Sequence, residues 1–153
     1  MSLSILKNIS LSQYTTFKIG GLAKFFVAVK SIGEIEQAVK WAKKNKARYF
    51  ILGGGSNILF TDEGFDGLVI KIQNTKYKIQ DTKIIADAGM PLVQLAVISI
   101  QNNLTGLEWA AGIPGTVGGA VRGNAGAFGG EMAQVVKRVK VLTKKFQVSK
   151  FKI

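Results

Sequence analysis

Apolar residues fall in short blocks along this chain, and the spacing inside each block separates strands from helices. KFFVAVK (residues 24–30) is a dense apolar run between lysines and reads as a strand. Ser31 then precedes IGEIEQAVKWAKKNK, with Glu34 three positions on, which is the spacing of a capping box. Ile32, Ile35, Val39 and Ala42 recur at helical spacing. The helix is expected to stop near Asn45, where Lys43, Lys44 and Lys46 suit the negative end of its dipole. ARYFIL (47–52) is a buried strand running directly into GGGSN, so strand, helix and strand succeed one another within ~30 residues, the pattern of a βαβ unit.

After the turn residues of TDEGFDG (61–67), GLVIKIQ (67–73) forms another strand, and KYKIQ (76–80) with TKIIADAG (82–89) forms a hairpin. Pro91 suits the first position of a helix, PLVQLAVISIQNN (91–103), with Leu92, Leu95, Ala96 and Ser99 along one face. A short helix or turn is expected at GGEMAQV (129–135), then paired strands at VVKRVKVLT (135–143) and KFQVSKFKI (145–153). No repeat or linker divides the chain. The two halves are expected to meet near Asp81, giving 1–80 and 81–153.

Two stretches do not fit that alternation. In Gly112–Gly130, GIPGTVGGAVRGNAGAFGG, eight of nineteen residues are glycine. Glycine inside a helix or strand costs roughly 0.5–1 kcal/mol relative to alanine, so this run is not expected to build ordinary secondary structure. Pro114 fixes one φ, while Gly115, Gly118, Gly119 and Gly126 leave room for backbone to approach a ligand closely; the alternative is a glycine-rich crossing of two packed segments. The other stretch is Gly53-Gly54-Gly55-Ser56-Asn57, at the end of a buried strand. Its successive N–H groups can converge on an anion, with Ser56 and Asn57 adding side-chain donors; the alternative is a tight turn packed under a neighbouring element. It is not a P-loop, because no Lys-Ser/Thr follows, and Ile58 stands where the G-x-G-x-x-G fingerprint needs its last glycine.

Composition narrows the chemistry. The chain has neither cysteine nor histidine, which excludes disulfides, thiol nucleophiles, histidine-based acid–base catalysis and the usual zinc ligands, and no metal site is expected. The net charge of +12 comes from 18 lysines scattered from Lys7 to Lys152 and three arginines, Arg48, Arg122 and Arg138. Base and phosphate recognition favours arginine forks, so the charge reads as a lysine-rich surface of compositional origin; it is compatible with attraction of phosphate-bearing small molecules but not specific for it, and no nucleic-acid partner is expected. The N-terminus lacks the pattern of a signal peptide, and no apolar run reaches the ~18 residues of a membrane span. The expectation is a cytoplasmic protein without a membrane partner.

TTFKIGG (15–21), ILGGGSNILF (51–60), GFDGLVI (64–70), GLEWAAGIPGTVGGAV (106–121) and NAGAFGGE (124–131) follow in that order. Together they closely resemble the UDP-N-acetylenolpyruvoylglucosamine reductases, flavoenzymes of peptidoglycan precursor synthesis, over nearly the whole chain. The resemblance implies an FAD-binding fold of the vanillyl-alcohol-oxidase type, built from two α+β subdomains. It implies FAD as cofactor, NADPH as electron donor and a UDP-sugar substrate, with hydride passing by way of FAD to UDP-N-acetylglucosamine-enolpyruvate to give UDP-N-acetylmuramate. Carried over by motif, Gly53, Gly54, Gly55, Ser56 and Asn57 would hold the FAD pyrophosphate. Gly112, Ile113, Pro114, Gly115, Thr116, Gly118 and Gly119 would wrap the pyrophosphate and flavin, with Asn124, Ala125 and Gly126 beside them. Thr116 and Asn124 are the expected side-chain hydrogen-bonding groups, and Arg122 is either a phosphate partner or a surface residue.

The chain also departs from that family. Its members are about twice as long and carry, further on, an arginine in a Tyr-Arg-x-Ser setting, a proton-donating serine and a glutamate. None has a counterpart before Ile153, so no catalytic residue is assigned within this chain and the C-terminal substrate domain is expected to be missing. Neither Arg138 nor Glu108 takes those roles. Losing several groups that stabilise transition-state charge, each worth on the order of 10²–10³ in rate, predicts negligible reductase activity for the chain alone. A missing C-terminal half is then the expected partner, and the rival reading is a stand-alone or remnant flavin-binding module without catalysis.

Overall fold

The computed structural model describes residues 3–143 and 148–152 and divides the chain into two compact units, Met1–Thr75 and Lys76–Ile153. In the first, strands β1 (Leu6–Ser10), β2 (Leu22–Val29), β3 (Arg48–Leu52) and β4 (Phe65–Ile72) form one sheet in the order β1-β2-β4-β3. Helix α1 (Ile32–Lys44) links β2 to β3, and β4 inserts between those strands, parallel to both; β1 is antiparallel to β2. The expected βαβ unit is therefore present, opened by one strand.

Local chemistry sets the ends of α1. Ser31 caps it by accepting from the Glu34 N–H at 3.2 Å. Glu34 does not close the box onto Ser31 but accepts from the Lys30 N–H at 2.7 Å, one residue earlier. Lys43 and Lys44 sit in the last turn before Asn45. Its buried face, Ala38, Val39 and Ala42, is narrow because small residues let the helix lie close to the strands. Phe25 meets Trp41 edge-on at 5.0 Å between ring centroids, which puts α1 on the face of β2 that carries Phe25. The opposite face packs Leu11, Phe26, Leu52, Phe60 and Val69, with Tyr14 stacked on Phe26 at 4.5 Å and Phe50 edge-on to Phe60 at 5.6 Å. Each such side chain buried contributes about 1.5–3 kcal/mol, so both faces of the central strands are anchored.

The second unit begins with the hairpin β5 (Tyr77–Gln80) and β6 (Lys83–Ala86), turned at Asp81 with φ 51°. A boundary at Asp81 would cut this ladder; the division lies instead at Thr75, ahead of both strands. Helix α2 (Leu92–Gln101) follows, with Pro91 as its N-cap and not its first helical residue. Leu92, Leu95, Ala96 and Ser99 are buried as their spacing predicts. A 3₁₀ turn (Glu108–Gly112) leads to α3 (Val117–Gly123), the short hairpin β7 (Gly126–Ala127) and β8 (Gly130–Glu131), α4 (Met132–Val135), and the antiparallel pair β9 (Arg138–Leu142) and β10 (Val148–Lys152). The expected strand at 145–153 falls partly outside the described residues. Leu92, Ala96, Ala110, Ala120 and Met132 form one core cluster, and Met90, Leu95 and Ile98 a second beneath the β5–β6 hairpin.

The glycine run thus holds a helix that its composition argued against. Thr116 caps α3, accepting from the Gly119 N–H at 3.4 Å. A β-carbon at Gly118 would lie 2.7 Å from the Ala88 Cβ and 3.0 Å from its carbonyl oxygen. Small residues are needed here because the helix packs against another backbone, and that contact outweighs the intrinsic cost of glycine.

Candidate functional site

Each unit carries one of the two glycine segments. In the first, Gly53–Asn57 leaves the carboxyl end of β3, on the edge where open sheets of parallel strands bind ligands. Gly55 has φ 76°, and a β-carbon there would collide with the Tyr14 carbonyl oxygen. The Thr16 N–H donates to the Gly55 carbonyl at 3.0 Å. The TTFKIGG segment therefore buttresses the loop, and Thr15 is itself buried, donating to the Ile19 carbonyl at 3.1 Å. At Gly55 the tight-turn alternative accounts for the glycine. The loop's donors are a separate matter: among the described residues, no acceptor in the chain takes the N–H of Gly54, Gly55 or Asn57.

Beneath this loop lies a residue that motif reading passed over. Lys71 sits on β4, paired with Leu52 of β3 and flanked by Ile70 and Ile72. Its ammonium group donates to the Gly53 carbonyl oxygen. The side chain is half-buried, and burial alone pushes its pKa below the ordinary lysine value. The single polar position in the apolar run LVIKI was the available signal.

In the second unit, Gly112–Gly119 is tied to its surroundings. The Gly115 carbonyl accepts from the Leu92 N–H at 3.0 Å, the Val117 N–H donates to the Met90 carbonyl at 2.8 Å, and the Gly118 N–H donates to the Ala88 carbonyl at 2.8 Å. With Gly119 capped by Thr116, the first-turn donors of α3 are all committed within the chain. The Asn124 side chain is engaged too: its oxygen accepts from the Ala133 N–H and its amide donates to Glu131, both at 2.9 Å. Asn124 has φ 46°, so it ends α3 in the left-handed region and braces β8 and α4. Ala125 continues that brace, donating to the Ala120 carbonyl and accepting from the Met132 N–H. Gly126 lies close against the Gly130 carbonyl across β7–β8. Gly112 differs: a β-carbon there would meet nothing within 4 Å. Ile113 and Gly115 are half-buried, Pro114 is exposed, and Arg122 is exposed in the last turn of α3.

Among the described residues, no His, Cys, Asp or Glu cluster is placed to hold a metal ion, and no helix is long and apolar enough to cross a membrane. The arrangement can present backbone donors and one cation to an anion in the first unit, and a shaped, glycine-lined backbone in the second.

Known proteins resemble this chain in sequence and in fold. A family model described as FAD binding domain matches residues 23–150. The chain is 46% identical over 143 residues to the UDP-N-acetylenolpyruvoylglucosamine reductase of Lactobacillus helveticus, covering 93% of this chain and 48% of that protein. It is 42% identical over 139 residues to the enzyme of the same name from Clostridium tetani, covering 90% of this chain and 45% of the other. The chain thus spans about half the length of the curated relatives it matches. The crystal structure of UDP-N-acetylenolpyruvylglucosamine reductase from Thermus caldophilus superimposes with TM-score 0.80 at 34% identity, covering 99% of this chain and 53% of that one. Cholesterol oxidase from Brevibacterium sterolicum, at 10% identity and TM-score 0.67 over 99% of this chain and 32% of its own, shares the fold.

Proposed function

Because this chain belongs to the FAD binding domain family, we propose that it is the FAD-binding portion of a reductase that converts UDP-N-acetylglucosamine-enolpyruvate to UDP-N-acetylmuramate with NADPH. One observation carries the reading: a loop with uncommitted N–H donors stands at the carboxyl end of a parallel strand, in a chain 46% identical to a reductase of that name. Gly53–Asn57 would hold the FAD pyrophosphate through Gly54, Gly55 and Asn57 N–H groups, with Lys71 supplying positive charge below. Gly112–Gly119 and Asn124–Gly126 would form a backbone wall, Gly112 leaving the space a side chain would fill. Bound FAD supplies the hydride-carrying chemistry, and the protein contributes binding, orientation and electrostatics.

The chain spans about half of its relatives' length, and the substrate-handling groups named by the resemblance lie in the other half. Negligible turnover by this chain alone follows from the proposal, as does rescue by a separately supplied C-terminal half. The test is a visible spectrum of the purified chain after gel filtration with FAD, followed by NADPH oxidation with the UDP-sugar substrate, with and without that half. A flavin band that elutes with the protein, and activity only on complementation, is the expected result. A folded chain that stays colourless refutes the FAD assignment, and a coloured chain that no complement activates favours the stand-alone flavin module.

A further inference from the structure

Lys71 stands out because nothing within its strand explains it. It sits on β4, one of the two inner strands of the first unit's sheet, on the face shared with Val69 and Leu52, where the neighbouring positions of β4 are apolar. A lysine there gives up hydration along its length. Among the described residues it forms no ion pair; the recorded pair joins Lys24 to Asp66, at 2.8 Å. Its hydrogen bond goes to the carbonyl of Gly53, the residue that opens the glycine loop. A neutral carbonyl leaves the charge itself uncompensated, and burial disfavours the ammonium form. A half-buried cation without a counter-charge, under a loop in which the Gly54, Gly55 and Asn57 N–H groups have no acceptor among the described residues, is suited to bind an anion.

Resting on the FAD reading above, we propose that Lys71 is a positioning residue for the Gly53–Asn57 loop whose charge makes the site selective for diphosphate-bearing flavin over phosphate-free flavin. Two actions combine. The ammonium pins the Gly53 carbonyl, which fixes where the following N–H groups point. Its positive charge, only half-buried and so still open to screening by salt, then attracts the pyrophosphate.

The experiment titrates the full chain with FAD and with riboflavin, following flavin fluorescence, for the wild type, Lys71→Arg, Lys71→Gln and Lys71→Met. Lys71→Gln keeps a donor for the Gly53 carbonyl and removes the charge; Lys71→Arg keeps both. The expected result is a roughly ten- to hundred-fold loss of FAD affinity in Lys71→Gln and Lys71→Met, the range of a hydrogen bond to a charged group. Lys71→Arg stays within about five-fold, because its charge is retained, and riboflavin binds all four proteins alike. Equal FAD binding by wild type and Lys71→Gln overturns the proposal. So does an equal loss of FAD and riboflavin, which is what a purely structural lysine would produce. If the uncharged variants fail to fold by circular dichroism, the wild type decides: its FAD affinity must fall with added NaCl while its riboflavin affinity does not, and a salt-insensitive FAD affinity overturns the proposal. A folded wild type that binds no FAD at all refutes the cofactor reading and this one with it.

Discussion

The two alanine substitutions Gly55→Ala and Gly112→Ala separate a glycine kept for packing from one kept for a ligand. At Gly55 the backbone sits at φ 76°, which costs a non-glycine residue about 1–2 kcal/mol. The new methyl would also strike the Tyr14 carbonyl and lie 3.0 Å from its carbon and 3.1 Å from the Thr15 Cα, all backbone atoms. Forcing them apart adds about 1–3 kcal/mol, as overpacking does. It also weakens the Thr16-to-Gly55 hydrogen bond, worth about 1 kcal/mol. The sum is about 3–6 kcal/mol, enough to lower the unfolding midpoint of a unit this size by at least about 10 °C. Gly112 has an ordinary φ and open space at its β-carbon, so Gly112→Ala stays within about 0.5 kcal/mol of wild type. If the proposed wall faces FAD there, the same methyl costs about tenfold in flavin affinity. Thermal melts followed by circular dichroism and FAD titrations measure the two quantities independently. A Gly55→Ala protein that melts with the wild type refutes the packing argument. A Gly112→Ala protein with unchanged FAD affinity refutes the ligand-facing assignment.

Gly118→Ala gains about 1 kcal/mol of helix propensity but must displace Ala88, at about 1–3 kcal/mol, so a net loss of up to about 2 kcal/mol is expected in urea unfolding. Asn124→Ala loses both side-chain hydrogen bonds and strains a left-handed residue, for about 2–4 kcal/mol; Asn124→Gly keeps the backbone relaxed and is the milder of the two in the same assay. The Lys71 pKa is depressed in the folded state by burial, so between that value and the ordinary lysine value near 10.5 the unfolded chain binds more protons and stability rises with pH. Chemical denaturation of the ligand-free protein at increasing alkaline pH checks this, with Lys71→Met expected to lack the increment.

Much of the fold was legible because burial and periodicity coincide. Ile32–Lys44 and Leu92–Gln101 are helices where spacing and caps predict them, and the β5–β6 hairpin turns at Asp81 between two runs of strand formers. The insertion of β4 between β2 and β3 was not legible, since strand order depends on which parallel neighbours bury the larger apolar surface. Nor was α3, because composition counts the intrinsic cost of glycine but not the contact with Ala88 that makes a side chain at Gly118 untenable. The capping of α1 shows the same limit on a smaller scale: residue types fixed the partners' identities, yet Glu34 chose the Lys30 N–H over that of Ser31.

For the site, spacing located both glycine segments but could not divide the work between them. That division depends on where each N–H group is already spent. The Val117, Gly118 and Gly119 donors are committed to Met90, Ala88 and Thr116, and both polar ends of Asn124 are taken by Ala133 and Glu131. A phosphate competing for those donors would have to break bonds that hold the second unit together. Among the described residues the donors of Gly54, Gly55 and Asn57 carry no such obligation, and their loop is anchored from both sides, by the Tyr14–Thr16 backbone and by the Lys71 ammonium. A loop anchored in this way, with those three donors open and a half-buried cation beneath, is pre-organised for an anion, which lowers the ordering cost of binding. In the proposed complex, charge recognition therefore falls on the first segment, and the second contributes shape: a backbone surface from which side chains are excluded.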